Sequence, residues 1–412
     1  MSLKKNTQKR ILFIIVTIIC VIAVYYASSL FFNNSIEYNV GQNSKEANID
    51  LSEKNSAELK GESIVKETKE EIPLSNIPVT HIETPDNVRA LYMSGWVAGS
   101  ENFRNSLIKI VDETELNAVI IDIKDSTGRI SFHTNNPEIQ KIGSSENRIK
   151  DIRALTALLH SKNIYIIGRV STFQDAYLTK LKPEWSIKRV SDGGVWKDRK
   201  GLSFLDPTNK EAQDYILSIA KYSYDEGFDE INFDYIRYPS DGNMKDINYN
   251  LAVGETRADN MEKFFKYLST EIKKYGDIPI SGDLFGLTTE STNDMGIGQV
   301  WEKALPYFDF LCPMVYPSHY PSGHAGYKNP ALYPYEVIKR ALASAVTRTE
   351  AIGQNKAKIR PWLQDFDMGA TYTKEMVRAQ IKAVYDNGLD SWLLWDPSNK
   401  YTPSALILDP KN

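Results

Sequence analysis

Cysteine is almost absent from this chain, with Cys20 and Cys312 the only two in 412 residues. One lies in an apolar run and the other in a predicted strand, so they do not read as a disulfide, and stability must come from a core. Histidine is scarce as well, at five. Only His319 and His324, in "SHYPSGH", are close together, and no H-E-x-x-H or cysteine cluster accompanies them, so no metal site is expected. No G-x-S-x-G elbow is present, which removes serine acyl transfer. No G-x-G-x-x-G or G-x-x-x-x-G-K-[ST] turn follows a strand, which removes the usual nucleotide sites, and no cofactor is expected. Positive charge is not in excess, with 49 Lys and Arg against 53 Asp and Glu, so nucleic acid is not an expected partner.

Long hydrophobic runs are also missing, with one exception. "ILFIIVTIICVIAVYYASSLFF", 11–32, carries no charge and is long enough to cross a bilayer, which needs ~20 apolar residues. The basic segment 1–10 before it predicts a cytoplasmic N-terminus and an extracellular remainder, a single-pass signal-anchor at the cell membrane. A cleaved signal peptide is the rival reading, although the run exceeds the usual ~7–15 residue core of such peptides. From 33 to 87 the chain is rich in Glu, Lys, Ser and Asn, cannot bury a core, and reads as a flexible acidic linker.

From Val88 onward, short β-branched runs alternate with amphipathic helical stretches. Eight such runs occur: "VRALYMSGW" (88–96), "NAVIIDIKD" (117–125), "NIYIIGRVS" (163–171), "FDEINFDYI" (228–236), "DIPISGDLF" (277–285), "YFDFLCPMVY" (307–316), "AKIRPWLQDF" (357–366) and "LDSWLLWDP" (389–397). Helices are expected at 101–114, 149–161, 208–226, 255–275, 296–305, 333–348 and 373–386. Eight βα units over 88–412 predict an α/β fold, a (β/α)8 TIM barrel, with a doubly wound open sheet as the alternative.

In such a barrel the chemistry gathers where the strands end. Trp96 closes the first run, Asp122 and Lys124 the second, Arg169 the third, Asp234 the fourth and Asp283 the fifth. Tyr316 closes the sixth, Gln364 and Asp365 the seventh, and Trp395 and Asp396 the eighth. Acids, a guanidinium and aromatics converging on one face suit a sugar site. On "INFDYI" alternation turns Ile231, Phe233 and Tyr235 toward the helices and Asn232 and Asp234 inward. The same count turns Ser281 and Asp283 inward on the next strand, at similar height. Two carboxyls on a barrel rim suggest glycoside hydrolysis, one kept protonated as the acid and the other acting as nucleophile or base. Structural readings stand beside this one. Asp234 could instead pair with Arg169 or Arg237, Asp122 could pair with Lys124, and Trp96 and Trp395 could simply close the core.

The blocks "YMSGW", "VIIDIKDSTGRI", "FDEINFDYIRYPSDG", "SGDLFGLTT", "MVYPSHY", "PWLQDF" and "WLLWDPSN" together resemble an uncharacterised-domain family of glycoside hydrolases in the TIM-barrel glycosidase clan. The resemblance covers roughly 88 to 410 and implies a barrel and a glycosidase activity. Chitinase-like barrels carry D-G-x-D-x-D-x-E on the fourth strand. Here Asp229 and Asp234 match the first and third acids, Asn232 replaces the second, and Ile236 stands where the acid glutamate would be. An acetamido-assisted mechanism is therefore not carried over.

The sequence thus leads to a membrane-anchored glycoside hydrolase acting on an extracellular or cell-wall polysaccharide. Asp234 would be nucleophile or base and Asp283 the acid, with Asp122, Asp365 and Asp396 in reserve. Trp96, Asp122, Lys124, Arg169, Asn232, Tyr316, Gln364, Asp365, Trp395 and Asp396 would contact the sugar. A non-catalytic carbohydrate-binding barrel at the cell surface is the alternative. A polysaccharide deacetylase, which would need a metal, is a third.

Overall fold

The structure is a computed structural model and describes residues 76–353 and 357–409. The basic segment, the expected membrane span at 11–32 and most of the expected linker lie outside the described residues. Among the described residues no helix is long and apolar enough to cross a membrane.

Eight parallel strands form a closed barrel. They are β1 (Arg89–Met93), β2 (Ala118–Lys124), β3 (Tyr165–Ser171), β4 (Glu230–Asp234), β5 (Ile280–Phe285), β6 (Phe310–Met314), β7 (Lys358–Ile359 and Trp362–Gln364) and β8 (Trp392–Trp395). Each pairs with its sequence neighbours, and β1 pairs with both β2 and β8, which closes the ring and excludes the open sheet. Helices α1 (Glu101–Glu113), α2 (Ile152–Ser161), α3 (Lys210–Asp225), α4 (Arg257–Tyr275), α5 (Trp301–Ala304), α6 (Pro334–Ile352) and α7 (Lys374–Tyr385) lie between successive strands.

Local chemistry sets the helix starts. The side chain of Asn209 accepts the Ala212 N–H at the head of α3, Asp151 does the same for Ala154 at α2, and Thr256 and Asp259 form a reciprocal capping box on α4. The strands are buried on both faces, which is why their sequences read as nearly continuous apolar runs. The outer face packs Ile231, Phe233, Leu284 and Leu311 against the helices. The inner face holds a separate cluster that includes Ala90, Tyr92, Ile120, Tyr165, Ile167, Cys312 and Trp362.

Polar residues interrupt that inner cluster at two heights. Near the floor, Glu230 and Arg360 are fully buried and joined at 2.9 Å, with Ser281 and Tyr165 donating to the same carboxylate at 2.6 and 3.1 Å. Arg360 also lies 3.7 Å from the Phe310 ring centroid. The upper layer belongs to the site.

Two features depart from the expected plan. Between β2 and α2 the chain makes two further strands, Ile130–Phe132 and Ser145–Ile149, which extend the sheet from the end of β2. Residues 76–87, expected to be linker, are strapped across the barrel floor. The Ile82 N–H donates to Asp229 at 2.7 Å, Thr84 meets the Tyr165 hydroxyl at 2.9 Å, and His81 stacks on Tyr224 at 4.0 Å. Asp229, also bonded to His160 and the Ile166 N–H, is therefore a floor acid and not part of the open end. Composition alone hid the strap, because its few apolar residues are spaced as an extended segment with one side down.

Truncation tests the strap. A soluble fragment starting at Asp86 loses those hydrogen bonds and leaves Asp229 short of partners, so it should unfold about 2 kcal/mol more easily than one starting at Ser75. Equal midpoints in urea would show the strap to be passive.

Candidate active site

The upper layer is built around one guanidinium. Arg169, inward on β3 and 6% exposed, donates from Nη1 to Asp122 Oδ1 at 2.6 Å and from Nη2 to Asp234 Oδ2 at 2.5 Å. Its Nε lies 4.0 Å from Asp283 Oδ2. Strand register produces this meeting. Asp122 is paired with Arg169 across β2 and β3, and Arg169 with Asn232 across β3 and β4, so all three side chains share the inner face. Asn232 is in turn level with Ser281, which sets Asp283 at the height of Asp234.

Asp234 is held from two sides. Beyond Arg169, its Oδ1 accepts the N–H of Tyr235 at 2.5 Å. Tyr235 takes a φ of +52°, a left-handed conformation costing of order 1–3 kcal/mol for a bulky residue. That turn aims the amide back at the carboxylate.

Asp283 is 1% exposed. Its Oδ1 accepts from Asn232 Nδ2 at 2.9 Å and from Trp362 Nε1 at 2.8 Å. Burial, and then the nearby Asp234 charge, push its pKa well above the ordinary carboxyl value, against the opposing pull of Arg169 and the two donors. Because both donors end on Oδ1, a proton on the neutral acid would belong to Oδ2, on the side facing Arg169. The two acids are therefore treated unequally: donors clasp Asp234, and the surroundings of Asp283 favour its neutral form.

Tyr92 and Trp395 complete the wall. The Tyr92 hydroxyl donates to Asp122 Oδ2 at 2.5 Å, its ring stacks on Trp395 at 4.1 Å, and Arg169 lies 5.2 Å from the Trp395 ring centroid. Burial raises the Asp122 pKa, with Arg169 opposing. Tyr316 is buried beside Phe366 and His319, with ring centroids 5.7 and 5.2 Å away.

Several residues expected at the sugar are engaged elsewhere. Lys124 is fully buried and pairs with Asp175 at 2.8 Å and the Ser171 carbonyl at 2.5 Å. A register shift between Asp122 and Lys124 is the reason: Lys124 pairs with Val170, a residue of the outer core, so the bulge carries it off the inner face. Gln364 bonds Ser318, Phe366 and Gln380. Asp365, its pKa raised to about 6 by burial, accepts from the Thr402 N–H and hydroxyl at 2.8 and 2.7 Å. Asp396 accepts from the Ser398 and Lys400 amides at 2.6 and 3.2 Å and shapes the final turn. Asn232 faces inward as expected, and its amide donates to Ser281 and Asp283. Trp96 lies beyond the end of β1, on the short helix Gly95–Gly99. Among the described residues no group of three or more His, Cys, Asp or Glu could hold a metal ion.

Tyr92 and Trp362 were not among the expected site residues. Alternation counted backward from the ends of β1 and β7 would have found both, since Tyr92 follows inward Ala90 and Trp362 precedes Gln364 by two.

Residues 90–401 match a family described as "Putative glycosyl hydrolase domain". Among solved structures, a hypothetical protein from Ruminiclostridium thermocellum is 33% identical over 47% of this chain and 96% of its own, with a TM-score of 0.43. The PgaB (BpsB) glycoside hydrolase domain from Bordetella bronchiseptica is 12% identical over 79% of this chain and 100% of its own, with a TM-score of 0.58. At that identity the second likeness shows the fold. A comparison with curated proteins finds no match.

Lys124 offers a clean separation of structure from site. Lys124→Met leaves Asp175 buried without its cation and should cost about 3–5 kcal/mol in urea unfolding. A loss below about 1 kcal/mol would mean that the pair is not a structural latch.

Proposed function

The chain belongs to this glycosyl hydrolase family and is a glycosidase by that membership, and we propose that it hydrolyses an extracellular or cell-wall polysaccharide with Asp234 and Asp283 as its two carboxyls. The observation that carries the reading is the unequal treatment of these two acids around Arg169: donors hold one, and burial raises the pKa of the other. Asp283 donates its proton from Oδ2 to the leaving glycosidic oxygen. Asp234 acts from the other side of the guanidinium as nucleophile or base. Trp395 and Tyr316 supply the apolar wall against which a sugar ring lies, and Asp122, fixed by Tyr92, steadies Arg169.

The membrane-anchored, extracellular placement belongs to the same proposal. It rests on the uncharged run 11–32 with Lys4, Lys5, Lys9 and Arg10 before it.

A non-catalytic carbohydrate-binding barrel has one observation in its favour, the 2.5 Å bond that locks Asp234 to Arg169. Such a barrel would have no second carboxyl near that lock, whereas Asp283 shares the same guanidinium. The catalytic reading accounts for both acids.

Incubation with a panel of surface polysaccharides should release new reducing ends. Asp234→Asn should lower the rate by about a thousandfold and Asp283→Asn by about 10²–10⁴-fold. Activity requires Asp283 protonated, so it should fall as pH rises through a value above the ordinary carboxyl range. That alkaline limb should vanish in Asp283→Asn. Full activity in Asp234→Asn on a glycan that the wild type cleaves would refute the assignment.

A further inference from the structure

Of the seven tryptophans, six are buried or half-buried, and Trp96 alone is exposed, at 64%. A single exposed apolar side chain is ordinary on a protein surface. What distinguishes Trp96 is how firmly it is mounted. Its helix, Gly95–Gly99, begins directly after β1, with the Ser94 hydroxyl accepting the Val97 N–H at 3.3 Å. Both glycines are pressed against the insert that follows β2. A Cβ on Gly95 would sit 2.0 Å from Ser131 Oγ, and one on Gly99 would sit 1.9 Å from the Arg148 carbonyl oxygen. No other residue lets this turn lie so close.

The indole is also backed. Arg148 lies over it with Cζ 4.8 Å from the ring centroid, and the guanidinium is fixed by Asp125 at 2.6 Å and Glu146 at 2.7 Å. With one side covered by Arg148 and most of the residue still exposed, the uncovered face is presented to solvent. The fixed turn and the backing guanidinium restrict the indole before any ligand arrives, which lowers the entropic cost of binding. The two acids beside Arg148 already answer its charge, so the platform suits an uncharged ring and not an anion.

Position links it to the site. Trp96 follows Tyr92 by four residues, so their Cα atoms are at most about 15 Å apart, and Tyr92 is bonded to Asp122 in the Arg169 cluster. We propose that Trp96 stacks on a pyranose ring of the same glycan that the carboxyls cleave, beyond the cleaved residue, so that the substrate is a long chain crossing the β1 and β2 edge of the barrel mouth. This rests on the glycosidase reading and adds to it a direction and a minimum chain length of more than one ring.

The test is native affinity electrophoresis of the full chain in mild nonionic detergent, through gels containing galactomannan, xylan, mixed-linkage β-glucan or glycol chitosan. At least one polymer should retard the wild type. Trp96→Ala should bind that polymer about tenfold more weakly, while Trp96→Phe, which keeps a ring, should stay within about threefold. Equal retardation of wild type and Trp96→Ala, or no retardation of wild type in any gel, overturns the proposal. Asp234→Asn run alongside separates the two claims. Retardation that depends on Trp96, without cleavage by the wild type, sinks the glycosidase reading and leaves the platform standing. Cleavage without dependence on Trp96 does the reverse.

Discussion

A guanidinium that is only 6% exposed must find its counter-charge inside the protein. For Arg169 the barrel supplies three carboxyls, from β2, β4 and β5, and that surplus governs the chemistry of the site. One positive charge cannot hold three buried negative ones at little cost. The cheapest solution keeps a proton on the acid that is most deeply buried and least directly bonded to Arg169. Asp283 is that acid, since its contact with Arg169 is 4.0 Å where the other two are 2.6 and 2.5 Å.

The rest of the inner barrel supports that arrangement from below. Glu230 and Arg360 neutralise one another near the floor, and Ser281 bridges Glu230 and Asn232. Asn232 then passes its second amide hydrogen to Asp283. Thr84, on the strap, enters the same chain of bonds through Tyr165 and Glu230. The open end of the barrel is thus fixed by residues that reach down to the opposite end, and a site on strand ends can be held more rigidly than one on loops alone.

Much of this was legible in the sequence. The eight apolar runs bracket the eight observed strands, and all seven expected helical stretches overlap a helix, the sixth running on to Ile352. Alternation on "INFDYI" and "IPISGD" puts Asn232, Asp234, Ser281 and Asp283 on the inner face, where they are found. The failures have physical causes. The β-bulge after Asp122 breaks the two-residue period that would keep Lys124 inward. A strand-end acid reads the same whether it meets a ligand or caps a turn, and Asp365 and Asp396 are spent on Thr402 and on the 398–400 amides. Alternation turns Trp362 inward, but nothing in "PWLQDF" says that its indole N–H ends on a carboxylate two strands away.

The division of protonation between the two acids is the claim on which the mechanism stands. Infrared difference spectroscopy at neutral pH measures it directly, through the carbonyl band of a protonated carboxylic acid. The account predicts such a band in the wild-type protein and its loss in Asp283→Asn. A wild type with no such band, or a band that survives Asp283→Asn unchanged, would contradict it.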